Sequence, residues 1–360
     1  MRLLLLNQFG LDSGAPTGRI LGELGGELVR RGHEVQIITT DLDYGQPRRG
    51  LGRLAQELRS HVLFIWHGFW SPKADAVISL TSPACLAVTA TAVAGIHRAR
   101  HFHWAMDLYP DVGIRLGNLE DGTFTRFLGF LMRWSYQKTA GMIALDEDMQ
   151  DYLLDRYGVD STVIGPFPPE VTWPANPKKT GATRYWLYSG NFGRAHEIEV
   201  LLQVQKRLED KGVCAELILQ GQGPQFLSSQ LSAGQLGLTQ VEWRAPVPDE
   251  DLAEALIQSE VLVVTRKADL KGLLLPSKLM LAELSGRAIL WIGDTDGKTA
   301  RRLSREGRHG VFTVEDIESI ARWLQQLFEQ DSSLHTRECR ATRSVRERAV
   351  EEMEALLLKV

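Results

Sequence analysis

Residues 3–40 read LLLLNQFGLDSGAPTGRILGELGGELVRRGHEVQIITT and contain the pattern that decides the fold. Four leucines precede a polar, glycine-rich loop over 7–18, and apolar residues then recur at helical spacing over 20–31. The helical pattern stops at Gly32, where a glycine cap is expected. A predicted strand over 34–40, with Val35, Ile37 and Ile38 as its apolar residues, completes the segment. This order of strand, loop, helix and strand predicts one right-handed βαβ unit of a parallel sheet.

The same alternation continues on both sides of a proline-rich segment. Before it, the pattern predicts strands at 76–80, 101–105 and 142–145 and a helix at 86–94. Beyond it, the pattern predicts strands at 186–189, 216–220, 240–244, 261–265 and 288–292, and helices at 196–210, 225–233, 249–259, 277–284, 314–328 and 339–358. The segment 164–184 contains five prolines, which exclude a continuous helix or a central strand.

The chain therefore divides into two doubly wound α/β domains. Its 360 residues exceed the length at which a single core usually keeps growing. We predict a first domain over 1–165, a hinge over 166–184, a second domain over 185–338 and a C-terminal helix within 339–360.

Composition narrows the class of protein. The formal net charge of −4 argues against nucleic acid as the main partner, because phosphate binding needs a basic face. Cys85, Cys214 and Cys339 form no CxxC pair, so we expect neither a disulfide framework nor a zinc site. No apolar run reaches the ~18 residues of a membrane span. The four initial leucines are too few for a signal peptide, and we expect a cytoplasmic protein.

Several motifs of other enzyme classes are missing from the sequence. GxGxxG, GxxxxGK[ST], HExxH and GxSxG do not occur. The segments DLD (41–43) and DTD (294–296) resemble metal-binding acidic pairs. Such pairs are common at turns, and we favour turns over a metal site.

The most specific segment is YSGNFGRAHE, residues 188–197, which follows a predicted buried strand and begins a helix. Its small residues Ser189, Gly190 and Gly193 allow a ligand to approach the backbone closely, and a helix N-terminus favours an anion. Arg194 supplies a cation suited to a diphosphate. The alternative is an ordinary strand-to-helix turn with a surface arginine.

A second candidate phosphate site begins the predicted helix 277–284. Pro276 delimits its start, and Ser277 suits the N-cap position. Lys278 and the N–H groups of the first turn then form a phosphate cradle. The alternative is a capped helix with no ligand.

Taken together and in order, these pieces resemble family-4 retaining glycosyltransferases, especially the branch that builds bacterial surface polysaccharides. The resemblance covers nearly the whole chain and rests on GAPTGR (14–19), RRGHEV (30–35), TSP (81–83), DLYPD (107–111), YSGNFGR (188–194), GQGP (221–224), PVPDEDL (246–252) and PSK (276–278) ahead of LSG (284–286). It implies a GT-B fold, in which two Rossmann-like domains face a cleft and the C-terminal helix returns to the first domain.

The resemblance also implies where the donor binds. In similar proteins a nucleoside diphosphate sugar lies against the second domain, and a UDP-sugar is favoured here. The implied donor-binding residues are Gly190, Asn191, Gly193, Arg194, Trp243, Arg244, Ser277 and Lys278. The glycine loop approaches the phosphates and the sugar, Ser277 and Lys278 hold the diphosphate, and the segment 242–244 borders the base. No metal and no cofactor are expected.

On the first domain the resemblance implies an acceptor side. The loop residues Gly14, Ala15, Pro16 and Arg19 face the acceptor and the donor sugar. Asp107 lies where similar proteins place the group that activates the acceptor, and a carboxylate can accept a hydroxyl proton. The alternative is a helix-capping or turn aspartate, and Asp111 is the second candidate for the base.

The chain departs from the family pattern at one place. Many members carry two glutamates eight positions apart near the phosphate helix, and the second usually contacts the ribose. Leu273 and Leu281 occupy these positions here, and Glu283 lies about 200° around a helix from Leu281. This leaves open a protein of GT-B fold that binds sugar nucleotide or a partner protein without catalysing transfer. A sugar-nucleotide epimerase is a third hypothesis, which no motif in the sequence supports.

Two segments of the first domain are rich in aromatic residues. Residues 61–70 read HVLFIWHGFW, and 124–138 combine aromatic with basic side chains. A helix with an apolar face and a cationic rim can lie at a membrane surface. We favour core packing for both segments, with contact to the inner face of the cytoplasmic membrane as the alternative.

The sequence thus predicts a retaining, metal-independent hexosyl- or N-acetylhexosaminyltransferase. Its acceptor is a hydroxyl of a glycan or of a lipid-linked glycan in bacterial polysaccharide biosynthesis.

Overall fold

The computed structural model describes residues 1–41, 51–174, 183–330 and 336–359. They form two compact units, the first of Met1–Phe167, Gly272–Leu275 and Arg346–Val360, the second of Pro168–Lys271 and Pro276–Val345. Part of the predicted hinge, residues 175–182, and Asp43 of the first acidic pair lie outside the described residues.

The first unit contains a six-stranded parallel sheet. Its elements are β1 (Arg2–Leu6), α1 (Pro16–Arg30), β2 (Glu34–Ile38), α2 (Leu51–Trp70), β3 (Ala76–Ser79), α3 (Leu86–His97), β4 (Arg100–Trp104), α4 (Asp111–Arg115), α5 (Thr123–Lys138), β5 (Gly141–Ala144), α6 (Glu147–Tyr157) and β6 (Thr162–Val163). The strand order is β2-β1-β3-β4-β5-β6, with every pair parallel. The chain adds β2 on one side of β1 and the later strands on the other side, so the strand order reverses between β1 and β3.

The second unit contains another six-stranded parallel sheet. Its elements are β7 (Arg184–Asn191), α7 (Ile198–Asp210), β8 (Ala215–Gln222), α8 (Phe226–Gln235), β9 (Val241–Arg244), α9 (Asp249–Ile257), β10 (Val261–Thr265), α10 (Lys278–Leu284), β11 (Ala288–Ile292), α11 (Lys298–Arg305), β12 (Gly310–Phe312) and α12 (Ile317–Glu329). The last helix, α13 (Thr342–Lys359), belongs to the first unit from Arg346 onward. The strand order is β12-β11-β10-β7-β8-β9. Its reversal point lies between β7 and β10, where doubly wound sheets bind ligands at the carboxyl ends of the strands.

The predicted α/β architecture with two parallel sheets is confirmed. All predicted strands are present. Most of them are apolar runs buried on both faces, as in β1, whose leucines are at most 1% exposed, whereas β2 and β9 are partly exposed. The short strands β6 and β12 and the helices α6 and α11 were not predicted. That the two domains face a cleft stays a prediction.

The predicted loop over 7–18 is too long. Helix α1 begins at Pro16, because a proline suits the first position of a helix. Pro16 and Arg19 are therefore helical rather than loop residues. Helix α1 ends before Gly32, whose φ of 89° fits the predicted glycine cap.

The preference for core packing of the two aromatic segments is wrong. Helix α2 buries a narrow face of Ser60, Phe64 and Gly68, while Trp66, Phe69 and Trp70 are 59–68% exposed. A Cβ on Gly68 would come within 2.8 Å of Val93 in α3, so the small residue sets a close helix contact. The large aromatic side chains lie on the opposite face of α2. Helix α5 likewise exposes Phe124, Phe127, Phe130 and Trp134.

Candidate functional site

The loops after β7 and β8 lie backbone against backbone at the carboxyl end of the second sheet. Gly190 pairs with Gly221 at the ends of the two strands. Gly190, Gly221 and Gly223 have φ of 140°, 142° and 145°. A Cβ on Gly221 would lie 1.9 Å from the Gly190 carbonyl oxygen, and one on Gly223 would lie 2.4 Å from Oδ1 of Asn191. Only glycine fits these positions, so the two loops form one tight edge.

A pocket of about 490 Å³ lies beside this edge. Its walls are Gly221, Gln222, Gly223, Phe226, Leu227, Gln230, Trp243, Arg244, Ala245 and Pro246. The Trp243 ring packs edge-on against Phe226, with 5.4 Å between centroids, and Phe226 packs in the same way on Phe192 at 5.0 Å. An aromatic wall next to a glycine-lined backbone edge suits a planar heterocycle. The predicted base-bordering residues Trp243 and Arg244 both line this pocket.

Arg244 is already paired within the pocket wall. Its Nε and Nη2 donate to the two carboxylate oxygens of Glu242 at 2.7 and 2.6 Å. These hydrogen bonds raise the pKa of the guanidinium. Arg244 therefore shapes the pocket and brings little net charge to it.

Lys278 lies at the reversal point of the second sheet, beneath Gly190. Its Nζ lies 3.7 Å from the centroid of the Tyr188 ring, and a Cβ on Gly190 would come within 3.2 Å of its Cε. The amine is inaccessible to solvent and has no hydrogen-bond partner among the residues that the structure describes. Burial lowers the pKa of Lys278 well below its ordinary value. A buried amine without a hydrogen-bond partner, next to a glycine of the loop, is suited to receive an anion, which restores its charge.

His196 adds no second positive charge near Lys278. Its Nδ1 lies 2.7 Å from the carbonyl oxygen of Thr265, which only accepts, so Nδ1 carries the proton. Burial first, and then the Lys278 charge, lowers the pKa of His196 to about 3. A neutral histidine therefore packs against Tyr188, with 5.8 Å between ring centroids.

Ser277 occupies the N-cap position of α10 but does not cap it. Its backbone is helical, with φ −58° and ψ −27°, and its side chain makes no capping hydrogen bond. A capping hydroxyl requires an extended N-cap residue, so this part of the prediction is wrong. The Ser277 side chain is exposed beside Lys278.

The loop after β7 is held from two sides. The Tyr188 hydroxyl donates to the Asn191 carbonyl at 2.6 Å, and Gln225 Nε2 donates to the Gly193 carbonyl at 2.5 Å. Helix α7 begins at Ile198, two residues after the predicted start. The exposed Arg194 therefore lies on the loop, four residues before the helix.

Both aspartates of the DTD segment form ion pairs with basic side chains. Asp294 forms a buried ion pair with Arg266 at 2.6 Å, and Asp296 pairs with Lys271 at 2.7 Å. The Arg266 guanidinium also lies 5.1 Å from the Trp291 ring. These contacts favour the turn interpretation. The buried Arg266 was missed at the sequence level, since a lone arginine after a strand carries no signal.

In the first unit, Asp107 lies just past β4, where two contacts hold the backbone in place. The N–H of Met106 donates to Oγ1 of Thr81 at 2.8 Å, and Asp107 bridges to Leu274 in antiparallel fashion. Burial raises the pKa of the Asp107 carboxyl from 3.8 to about 6. Helix α4 begins four residues later with Pro110 at its N-cap, so Asp107 caps no helix there. A carboxylate that titrates near pH 6 fits a general base.

Asp111, the second candidate for the base, is engaged by its neighbours. Its Oδ2 accepts a hydrogen bond from the Tyr157 hydroxyl at 2.6 Å and lies 3.7 Å from Nε of Arg156. Its side chain is buried. The geometry therefore favours Asp107 over Asp111.

The predicted acceptor-side residues gather at the start of α1. Gly14 has a φ of 74°, and Ala15 is buried at the N-cap. Asn7 holds the preceding turn, because its Nδ2 donates to the Phe9 carbonyl at 2.8 Å. The four residues Gly14, Ala15, Pro16 and Arg19 thus lie beside the carboxyl end of β1.

The positions of the missing glutamate pair are apolar and buried. Leu273 is 1% and Leu281 is 6% exposed. Leu273 contributes only its carbonyl, which accepts the Leu108 N–H at 3.0 Å. Glu283 pairs with Arg302 at 2.6 Å. None of the three supplies a carboxylate in the place of the usual ribose contact.

Residues 17–170 match the family model described as a glycosyl transferase 4-like domain. No curated protein sequence matches the chain. Among solved structures, WaaG, "a glycosyltransferase involved in lipopolysaccharide biosynthesis", is 13% identical with a TM-score of 0.66, over 98% of this chain and 95% of that one. Anabaena Alr3699/HepE in complex with UDP-glucose is 13% identical with a TM-score of 0.61, over 99% and 100%.

Staphylococcus aureus TarM, determined as a G117R mutant with fondaparinux, alpha-GlcNAc-glycerol and UDP, is 12% identical with a TM-score of 0.64. The match covers 83% of this chain but only 59% of TarM. The fold is the two-domain, Rossmann-like GT-B fold of these structures. The match over 17–170 shows that this part of the chain is similar to a glycosyl transferase 4-like domain.

Proposed function

We propose that the protein transfers a hexosyl or N-acetylhexosaminyl group from a nucleoside diphosphate sugar, with UDP-sugars favoured, to a hydroxyl of a glycan or lipid-linked glycan. The observation that carries the proposal is the presence, in the second unit, of both a pocket that can hold a base and a buried Lys278 amine with no hydrogen-bond partner among the described residues. A nucleotide needs both an apolar wall for its base and a cation for its phosphates.

The donor is oriented by the edge of the second sheet. Its base enters the pocket against Trp243, and its diphosphate lies along the glycine edge toward Lys278. Gly190 and Gly221 carry no side chains that would keep the phosphates from the backbone. The complex of the similar HepE with UDP-glucose supports this class of donor.

Departure of the diphosphate is the step that the second unit assists. Negative charge grows on the leaving phosphate as the sugar–oxygen bond breaks, and a preorganised cation stabilises that charge. Lys278 takes this role, with Arg194 and the N–H groups at the start of α7 as further donors. The reaction requires no metal ion in this scheme.

Asp107 accepts the proton of the attacking hydroxyl. Because its pKa is about 6, the carboxyl is ionised at neutral pH yet basic enough to take a proton as the new bond forms. Retention of configuration follows the resemblance to retaining enzymes. The named role of WaaG in lipopolysaccharide biosynthesis supports a bacterial polysaccharide context. A cytoplasmic location is part of the same proposal.

The second candidate function is binding of sugar nucleotide, or of a partner protein, without transfer. The burial of Leu273 and Leu281 favours it, because the usual ribose carboxylate has no replacement at these positions. Both functions predict nucleotide binding, and only the first predicts turnover.

A calorimetric titration tests nucleotide binding, which both functions predict. Wild-type protein is titrated with UDP, GDP, ADP and dTDP, and Lys278→Met is compared with Lys271→Met, a control on the same unit whose amine forms an exposed ion pair. We expect UDP binding that Lys278→Met weakens and Lys271→Met leaves unchanged. Failure of all four nucleotides to bind the wild type would contradict the proposal.

A further inference from the structure

Two helices of the first unit present large apolar side chains to solvent. Helix α2 exposes Leu58, Val62, Ile65, Trp66, Phe69 and Trp70, and helix α5 exposes Phe124, Phe127, Phe130 and Trp134. More than half of the large apolar side chains exposed within the described ranges lie on these two helices. Scattered exposed apolar residues are ordinary, but a contiguous set marks an interaction surface.

The two exposed sets belong to one side of the sheet. Helix α3 packs against α2 and against α5, so the three helices lie side by side. Within α2 the exposed residues recur at spacings of three and four, opposite the buried Phe64 and Gly68. Ile96, near the end of α3, is 44% exposed between them. We name the exposed side chains of α2 and α5, with Ile96, the aromatic face.

The charge of these helices differs from that of the chain. Helices α2, α3 and α5 together carry five Lys or Arg residues and a single acidic residue, Glu57, whereas the whole chain has a formal net charge of −4. Helix α5 carries Arg126, Arg133 and Lys138 and no acidic residue. The three side chains are exposed, and Arg126 lies 3.8 Å from the carboxylate of Asp121, just before the helix. Arg133 and Lys138 therefore carry the net positive charge at the rim of these aromatic residues. The aromatic face therefore combines apolar area with a positive rim.

We propose that the aromatic face docks on the surface of an anionic lipid bilayer. Tryptophan and phenylalanine side chains enter the boundary between headgroups and acyl chains, and the basic rim attracts anionic headgroups. A second copy of the chain fits less well, because a symmetric contact would bring the two positive rims together. None of the helices within the described ranges is long and apolar enough to span a membrane, so the contact is peripheral.

Docking goes beyond the proposed transfer reaction and is tested apart from it, because vesicle binding requires neither donor nor acceptor. The test is co-sedimentation of the full chain with vesicles of phosphatidylcholine alone and of phosphatidylcholine with phosphatidylglycerol. We expect binding to the anionic vesicles, weaker binding to the neutral ones, and loss of the difference at high salt. Quenching of tryptophan fluorescence by brominated lipid reports insertion of Trp66, Trp70 and Trp134.

Two variants address the two helices separately. One combines Trp66→Ser, Phe69→Ser and Trp70→Ser, and the other combines Phe127→Ser, Phe130→Ser and Trp134→Ser. Each should lower the vesicle partition coefficient at least about tenfold, because each removes three inserting side chains. These positions are exposed, so the melting temperature should change little.

The matched control is Leu227→Ser with Leu231→Ser, which removes two leucines that are 72% and 71% exposed on α8 of the second unit. It should bind vesicles as the wild type does. Equal binding of wild type and both triple variants would overturn the proposal. So would a wild type that ignores anionic vesicles but sediments as a dimer that the triple variants lose, since the occupant would then be a second copy.

Discussion

The Nζ of Lys278 lies 3.7 Å above the Tyr188 ring, ninety positions earlier in the sequence. The face of an aromatic ring attracts a cation through its quadrupole, so Tyr188 favours the charged form of Lys278 that a bound diphosphate restores. The same tyrosine donates its hydroxyl to the Asn191 carbonyl and so fixes the loop above the amine. Tyr188 thus positions both sides of the candidate phosphate site.

Replacing Lys278 by methionine should lower the affinity for UDP but raise the stability of the free protein. A charge-assisted phosphate contact contributes about 1.5–3 kcal/mol, so UDP affinity should fall roughly tenfold or more. The free protein should become more stable at neutral pH, because methionine has no buried amine to desolvate. Calorimetric titration and thermal unfolding measure the two effects. A variant that keeps wild-type affinity would remove Lys278 from the site.

Nucleotide binding should take up a proton at Lys278. Burial lowers the pKa of the free amine, and a bound diphosphate raises it again, so affinity should weaken as pH rises between these two values. Titrations in buffers of different ionisation enthalpy measure the number of protons taken up. The uptake should disappear in Lys278→Met. An equal uptake in that variant would assign the proton to another group.

Tyr188→Phe and Tyr188→Leu should differ in their effect on the nucleotide. Phenylalanine keeps the ring beneath Lys278 and loses only the bond to Asn191, whereas leucine removes both. We expect a several-fold loss of UDP affinity for Tyr188→Phe and a larger one for Tyr188→Leu, about tenfold or more. Equal affinities for the two variants would show that the ring does not position the amine.

Trp243→Ala should weaken binding through the base. The indole forms a wall of the pocket, and its loss should reduce UDP affinity about tenfold while leaving the affinity for inorganic pyrophosphate unchanged. Trp323→Ala, in the same unit but packed on Phe312, is the matched control. If Trp243→Ala binds UDP as tightly as Trp323→Ala does, the base lies elsewhere.

Asp107→Asn should affect turnover rather than binding. The isosteric amide cannot accept the acceptor proton, so kcat should fall on the order of a hundredfold or more with UDP affinity unchanged. In the wild type, kcat/KM should decline below about pH 6, where the carboxyl becomes protonated. Near-normal turnover of Asp107→Asn would exclude it as the base.

Asp107→Asn should also change the melting temperature, by an amount that depends on pH. The Asp107 pKa is raised from 3.8 to about 6 on folding, so its contribution to stability is complete below pH 3.8 and is lost as pH rises through 6. Asp107→Asn should therefore melt higher than the wild type at pH 7 and at nearly the same temperature at low pH. Asp111→Asn should melt lower, because its carboxylate accepts the Tyr157 hydroxyl.

Most of the parallel strands could be predicted from the sequence because they are short apolar runs that the sheet buries on both faces, as in 261–265 and 288–292. The orientation of α2 could not be predicted from the sequence, because Trp66, Phe69 and Trp70 recur at a spacing that suits a buried face as well as an exposed one. The burial of Phe64 and the close packing of Gly68 on Val93 determine which face is buried.

The candidate site was predictable only in part. Glycines at strand ends indicate close backbone approach, and Gly190, Gly221 and Gly223 indeed have φ values that favour glycine. The pocket wall formed by Phe226 and Trp243 and the contact of Lys278 with Tyr188 join residues from distant parts of the chain. No local pattern encodes such contacts, because they arise from the order of strands in the folded sheet.

The central claim is tested most directly by measuring UDP release from a panel of UDP-hexoses and UDP-N-acetylhexosamines without acceptor. We predict slow release from one of these sugars by the wild type, with a strong reduction in Lys278→Met and little change in Lys271→Met. Tight UDP binding with no release from any sugar nucleotide, alone or with glycan and lipid-linked acceptors added, would contradict a transferase and leave the binding protein in its place.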